Sequence, residues 1–457
     1  MDSTTKAQSV HRKILVLALP TVAYNLIEMG LGLTDLYMVR SFGSAATAAL
    51  GMNRQILFLF EAIILAVSVG VVTLISQNLA RGAKDVIERV VVQSLTLITF
   101  LAFGLGLFGY FSSPIFLALT QASSETADFA VGYLKIYCIS LPFMAINAVS
   151  AAVLRASKNP MLPLKIAILM AVLNVSLNYG FIHGVAGFPE LGVEGAAVGT
   201  LIVRVIGVVS FLIILIKFSP STPLIISKSL PFDYPLIQKV LKVGVPIAIA
   251  SIYRNAARVV FIAIAGFSVY SVSMHAAVGL GLQIRLISVL PALAFQVALA
   301  TLVGDAIGRE KFDEAQDIGR RGVWLLGALM SVVCGGIFLC SGPIARAFIV
   351  NPDDVALGAT VLRWFSVGQF FSTLAIGAQG ALIGTGDTKP VARIMFVTQW
   401  LILVPLAYAL LVPMNIDPNG ILIAWIVSPI ITFVFIYLRF LSGKWRAEAG
   451  IKAPSGE

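Results

Sequence analysis

Twelve apolar runs, each about 20 residues or longer, dominate this chain and leave it few folds to choose from. They lie near residues 14–39, 46–77, 88–111, 128–154, 160–183, 194–216, 240–266, 273–303, 319–341, 357–383, 390–412 and 420–441. A helix rises 1.5 Å per residue, so about 20 residues cross a hydrocarbon core ~30 Å thick. In lipid every backbone N–H and C=O needs a partner within the protein, and helices supply one locally. Only 12% of the 457 residues are charged, about half the usual share of a soluble domain. The expected fold is an all-α integral membrane protein of twelve transmembrane helices. The first run follows Lys6, Arg12 and Lys13, but it continues to Asp35 without a small-residue cleavage site. It reads as a retained helix rather than a secretory signal.

The net charge of +10 is sorted by loop. Arg81, Lys84 and Arg89, then Arg155, Lys158 and Lys165, then Lys217, Lys228, Lys239 and Lys242 mark alternate connections, as do Arg309, Lys311, Arg320 and Arg321. The loops at 112–127, 184–193 and 413–419 hold no Lys or Arg. That bias sets orientation, with both termini cytoplasmic, and it argues against a nucleic-acid surface. A multi-pass cell membrane, the bacterial inner membrane, is the expected location.

The chain also repeats itself. Shifted by 228 positions, Ala48, Ala49, Gly51, Gln55 and Ile56 fall on Ala276, Ala277, Gly279, Gln283 and Ile284, and Leu134, Phe143 and Leu154 fall on Leu362, Phe371 and Leu382. Pro20 meets Pro246 after a slip of two residues. The expected organisation is an N-lobe over 1–217, a cytoplasmic linker over 218–238, a C-lobe over 239–441 and a cytoplasmic tail over 442–457. Six helices per lobe make the repeats parallel, around a central cavity, as in transporters that alternate access.

Other chemistries find little support. His11, His183 and His275 are far apart, and Cys138, Cys334 and Cys340 have no metal-binding spacing. No Walker-type phosphate loop is present. No cofactor or metal is implied, and the chain reads as a transporter rather than an enzyme. Nothing in the sequence demands an oligomer, so a monomer is expected.

Three stretches carry a family resemblance: LALPTVAYNLIEMGLGLTDLYMVRSFGSAATAALG over 17–51, AAVLRASKNPMLPLKIAILMAVLNVSLNYGFIHG over 151–184, and ALIGTGDTKP over 381–390. Together they resemble the multidrug and toxic compound extrusion (MATE) transporters, most closely the DinF-like branch. The resemblance implies export of amphipathic, often cationic compounds against a proton or sodium gradient. It also implies that helix 1 bends at its proline, here Pro20. The loop after helix 2, ARGAKDVIERV, lacks the pattern of the major-facilitator family, the other six-plus-six fold.

An Asp at the centre of a membrane helix costs ~2.5–3.5 kcal/mol on insertion scales, so Asp35 needs a reason to be there. By topology Asp35, Asn174, Asn178 and Thr200 share one depth on three helices, with Arg204 one turn away. This cluster, together with the resemblance, gives Asp35 the proton-coupling role. One carboxylate beside a guanidinium makes a poor site for a hard cation, so sodium ranks second to the proton. A flippase of lipids or lipid-linked oligosaccharides is the further alternative. Candidates for the substrate cavity are Glu28, Met29, Gln55, Tyr137, Phe143, Met144, Arg254 and Gln283. Some relatives carry a second Asp where Asn178 stands, and others carry acids in the second lobe. Here Phe261 or Ala263 falls on the echo of Asp35, so coupling is expected in the N-lobe alone.

Overall fold

In the computed structural model, residues 3–118, 124–218, 232–268, 271–349, 351–416 and 419–448 are described. Among them every regular element is a helix. The long ones are α1 (Ser3–Val39), α2 (Ser44–Ala80), α3 (Lys84–Ala118), α4 (Ser124–Ala156), α5 (Met161–His183) and α6 (Val193–Ile213). After them come α7 (Tyr234–Ala265), α8 (Ser271–Gly308), α9 (Phe312–Leu339), the short α10 (Ser341–Phe348) and α11 (Pro352–Thr385). One span is then built from α12 (Lys389–Phe396), a π-helical stretch over Val397–Leu403 and α13 (Val404–Leu411). It is followed by α14 (Asn419–Leu441) and a last turn, α15 (Trp445–Glu448). Among the described residues twelve helical spans are long and apolar enough to cross a membrane, and the chain is a multi-pass membrane protein.

Contacts divide the chain into two compact units: Pro20–Val245, and Met1–Leu19 with Pro246–Glu457. The sequence boundaries at 217 and 239 count whole helices. The contact boundaries instead fall within α1 and α7, at Pro20 and Pro246. Proline removes an intrahelical hydrogen bond and crowds the turn before it, which makes both positions natural points of change along a helix. Most of the expected linker, residues 219–231, lies outside the described residues, as do residues 449–457 of the tail. Helix α7 begins at Tyr234, inside the linker range, because Asp233 accepts the Leu236 backbone N–H (3.0 Å) and reaches Arg89 (3.5 Å).

The helices of the first unit show why their sequences read as they do. On α3, Phe100, Phe103, Leu107, Phe111 and Ile115 recur every three or four residues and are exposed, up to 72% at Phe100. Ile87, Val90, Val91, Ser94, Ile98 and Ala102 recur with the same period and are buried. In lipid an exposed apolar face is the normal outer surface, and the buried face must gain its stability from close packing. A methyl group at Gly244 would lie 1.6 Å from the Ala66 carbonyl oxygen, so only glycine lets α7 approach α2 so nearly.

The ALIGTGDTKP stretch has a structural task in the second unit. It ends α11 with Gly386 at φ +87°, and Asp387, fully buried, meets Arg439 of α14 at 2.7 Å. Removing one partner of a buried ion pair costs about 3–5 kcal/mol. Asp387→Asn is therefore expected to lower the thermal unfolding midpoint in detergent clearly. Asp313→Asn, whose side chain is 96% exposed beside Arg446, should shift it far less.

Candidate functional site: a charged cavity in the first unit

Helix α1 presents Tyr24, Glu28, Gly32 and Asp35 along one face, at the three- and four-residue steps of a helical turn. All of these line a cavity of ≈310 Å³. Helix α2 adds Glu61, α4 adds Tyr133, Tyr137, Met144 and Asn147, α5 adds Asn174, and α6 adds Thr200 and Arg204. Three carboxyl groups and one guanidinium thus face a single space walled largely by tyrosines and aliphatic side chains.

Asp35 is the acid held most closely. Its Oδ1 accepts the Asn178 Nδ2–H at 2.7 Å, and the same nitrogen donates to Asn174 Oδ1 at 3.2 Å. Asn174 Nδ2 donates in turn to Thr200 Oγ1 at 3.1 Å. A relay of amides therefore runs from α1 through α5 to α6. Asn174 and Asn178 are buried, and Asp35 is 9% exposed. The Asn178 Oδ1 atom is buried without a partner. Its position depends on Gly199 of α6, where an added methyl group would lie 2.1 Å from that oxygen.

Arg204 lies in the same cavity but makes no salt bridge with Asp35. Its guanidinium donates to Tyr137 OH at 2.6 Å and to Ser140 Oγ, and sits 4.1 Å over the Tyr137 ring. Asn147 Nδ2 donates to the Arg204 carbonyl at 3.0 Å, fixing α4 against α6 beneath that contact. At the other end of the cavity, the Tyr24 hydroxyl lies between Glu28, one turn on, and Arg155. Glu28 and Glu61 stay accessible within the cavity, so their charges face its contents.

The structure thus brings Asp35, Asn174, Asn178, Thr200 and Arg204 together, with Glu28, Tyr137 and Met144 around the same space. Met29 and Phe143 are not among the lining residues. On α1 Met29 sits about 100° round from Glu28, and on α4 Phe143 about 120° from Tyr137, off the two faces that carry the cavity. The side chain of Gln55 lies outside the described residues. Arg254 lines a separate cavity in the second unit, and Gln283 is exposed and lines neither. Pro20 is half-buried inside α1, four turns before Asp35.

Glu61, Tyr24, Tyr133 and Asn147 were not singled out from the sequence. The sequence places Arg54 seven residues before Glu61, two turns away on α2, as a candidate partner, and the Arg54 side chain is outside the described residues. The helical phase of Glu61 alone does not say which neighbour α2 faces. The hydrogen-bonded cluster at Asp35 itself offers one carboxylate, two amides and a hydroxyl. That falls short of the six or so oxygens that hard cations prefer.

Spanning helices that enclose a charged, partly aromatic cavity define a membrane transporter. The model of the MatE family matches residues 20–180 and again 246–409, and the chain belongs to that family of secondary transporters. Both matches begin at the prolines that bound the two units. The chain is similar to a probable multidrug resistance protein NorM of Thermotoga maritima, at 27% identity over 96% of this chain and 94% of that one. It is also similar to the uncharacterized transporter YisQ of Bacillus subtilis, at 25% identity over 92% and 91%. A crystal structure of a MATE transporter in the bent conformation superposes with a TM-score of 0.87, at 18% identity over 97% of both chains.

Gly199→Ala is expected to push the Asn178 amide away from Asp35 and lower the thermal midpoint. On an Asn178→Ala background the same substitution should cost less, since only the backbone N and Cα of residue 178, at 3.0 and 3.2 Å, remain as close neighbours. A cycle of the four proteins giving additive shifts would mean that Gly199 does not position Asn178.

Proposed function

We propose that the chain exports amphipathic, chiefly cationic compounds in exchange for protons, using the cavity of the first unit. The observation that carries this reading is the cavity itself: Glu28, Asp35 and Glu61 against one guanidinium, with Tyr24, Tyr133 and Tyr137 in its walls. A volume of ≈310 Å³ falls within the range of small-molecule sites, roughly 300–1,000 Å³. Carboxylates and tyrosine faces both attract an organic cation. The multidrug resistance name of the Thermotoga relative agrees with this choice of cargo.

Asp35 is the coupling group in this scheme. Ionised, it accepts from Asn178 Nδ2, the arrangement observed at 2.7 Å. Protonated, its hydroxyl needs an acceptor, and the unpartnered Asn178 Oδ1 becomes one once the amide turns over. Turning that amide also breaks its bond to Asn174, so one proton rearranges the relay across α1, α5 and α6. Neutral Asp35 removes a negative charge from the cavity and weakens its hold on a cation. Helix α1 responds at Pro20, where the missing N–H leaves the Val16 carbonyl without its helical donor. Both termini lie in the cytoplasm of a bacterium, and the chain works as a monomer of the DinF-like branch. The loop charges support that orientation, and the stretches over 17–51, 151–184 and 381–390 support the branch.

Export is measured in loaded vesicles under separate proton and sodium gradients. Asp35→Asn should abolish export driven by the proton gradient, and Asn178→Leu should reduce it at least about tenfold, the worth of a charge-assisted hydrogen bond. Undiminished export by Asp35→Asn would remove Asp35 from coupling, and export driven only by sodium would replace the proton. Glu61→Gln should raise KM for a cationic dye by about three- to tenfold, the effect of one partly solvated charge, with less change in kcat.

A further inference from the structure

The second unit contains a cavity of the opposite polarity. Arg254 and Arg258 of α7 and Arg285 of α8 line it, together with Gln369 of α11 and Trp425 of α14. The three guanidinium groups lie within electrostatic reach of one another. Their neutral partners are few. Arg254 donates to Ser251 Oγ at 3.4 Å, Arg258 donates to Asn255 Oδ1 at 2.9 Å, and Arg285 Nε is buried without a partner. No carboxylate offsets them: from Pro246 to Gly304, and from Val355 to Gly386, the sequence holds no Asp or Glu.

A second, independent feature concerns neutral groups. Gln369, 4% exposed, has neither its Nε2 nor its Oε1 atom partnered, and Trp425 Nε1 is likewise unpartnered. Buried amides and indole N–H groups nearly always find partners, so the unpartnered donors of Gln369, Trp425 and Arg285 mark this space as one suited to an acceptor. Gln399, the third residue of the π-helical stretch, faces the same space. Such stretches occur often at functional sites. Pro405 lies two residues beyond the stretch, where its ring cannot continue the regular bonding pattern.

The size of the cavity decides what it can hold. Its ≈50 Å³ equals roughly one or two waters at about 30 Å³ each, room for a carboxylate or phosphate head but not for a whole drug. We propose that this cavity binds the oxyanion head of an acidic amphiphile. The head is held by Arg254, Arg258 and Arg285 with the Gln369 amide, and its apolar body lies against Leu403, Met395 and Trp425. Guanidinium forks match carboxylate and phosphate geometry. The anion restores the charge balance that the second unit lacks. The site is distinct in unit, charge and size from the cation cavity, and it stands whether or not that cavity couples to protons.

The test uses the full-length protein in phosphatidylcholine nanodiscs. Fluorescein, an aromatic carboxylate, and rhodamine 6G, a cation, are titrated separately and followed by anisotropy. Fluorescein is expected to bind. Arg254→Gln, Arg258→Gln and Arg285→Gln should each weaken its binding about tenfold, the loss of one charge-assisted contact, and leave rhodamine 6G within about twofold. Gln369→Leu keeps every charge and should still weaken fluorescein at least about threefold, the worth of a neutral hydrogen bond. It therefore tests the site even if an arginine variant does not fold. Doping the discs with phosphatidylglycerol separates the sources of the head group: competition with fluorescein assigns it to a lipid phosphate, and lack of competition to a soluble anion. Failure of the wild type to bind fluorescein, or unchanged binding in the folded arginine and Gln369 variants, overturns the proposal.

Discussion

A carboxyl group inside a hydrocarbon slab must find in the protein the partners that water would otherwise supply, and the placing of Asp35 follows from that constraint. Asn178 donates to it at 2.7 Å, Asn174 holds Asn178, and Thr200 holds Asn174. Moving any one of them breaks a hydrogen bond to the next. Gly199 gives way so that the Asn178 oxygen fits against α6. Arg204, the nearest positive charge, is turned toward Tyr137 and Ser140 instead of neutralising the acid. The result is a carboxyl group tied by neutral hydrogen bonds, which responds to protonation more readily than one locked in an ion pair.

The two units treat charge in opposite ways. The first gathers Glu28, Asp35 and Glu61 around a roomy space, and the second gathers Arg254, Arg258 and Arg285 around a tight one. Their sequences descend along the same register, with Pro20 and Pro246 in matching positions and the family model matching once in each half. Where Glu28 stands in the first repeat, Arg254 stands in the second. One backbone plan therefore carries two cavities whose linings differ in the sign of their charge.

Much of this was legible in the sequence, for physical reasons that can be named. The bilayer fixes how long an apolar run must be, so the twelve spans can be counted directly. A carboxylate in such a run demands polar neighbours, and helical phase brings Asn174 and Asn178 to one face at the depth of Asp35. What could not be read was the facing of one helix toward another. The phase of α2 does not show that Glu61 turns to α1, and the phase of α4 does not show that Tyr137 and Ser140 hold Arg204. Met29 and Phe143 have suitable chemistry but lie off the lining faces by about a quarter and a third of a turn. The π-helical stretch at Val397–Leu403 had one faint sign, Pro405 within an otherwise continuous apolar run.

The lack of acids from Pro246 to Gly304 also bears on how the chain is made. Arg254 and Arg258 stand one turn apart on α7, and like charges at that spacing repel. Each costs ~2.5–3.5 kcal/mol to bring to the centre of the bilayer. Synthesis runs from the N-terminus, so α7 reaches the membrane well before Gln369 on α11 or Trp425 on α14 exists. During that interval Ser251 and Asn255 of α7 itself are the partners already at hand for the two guanidinium groups, beside water and lipid phosphates. The cavity around α7 is therefore closed late, once α11 and α14 have been made and can bring Gln369 and Trp425 to it.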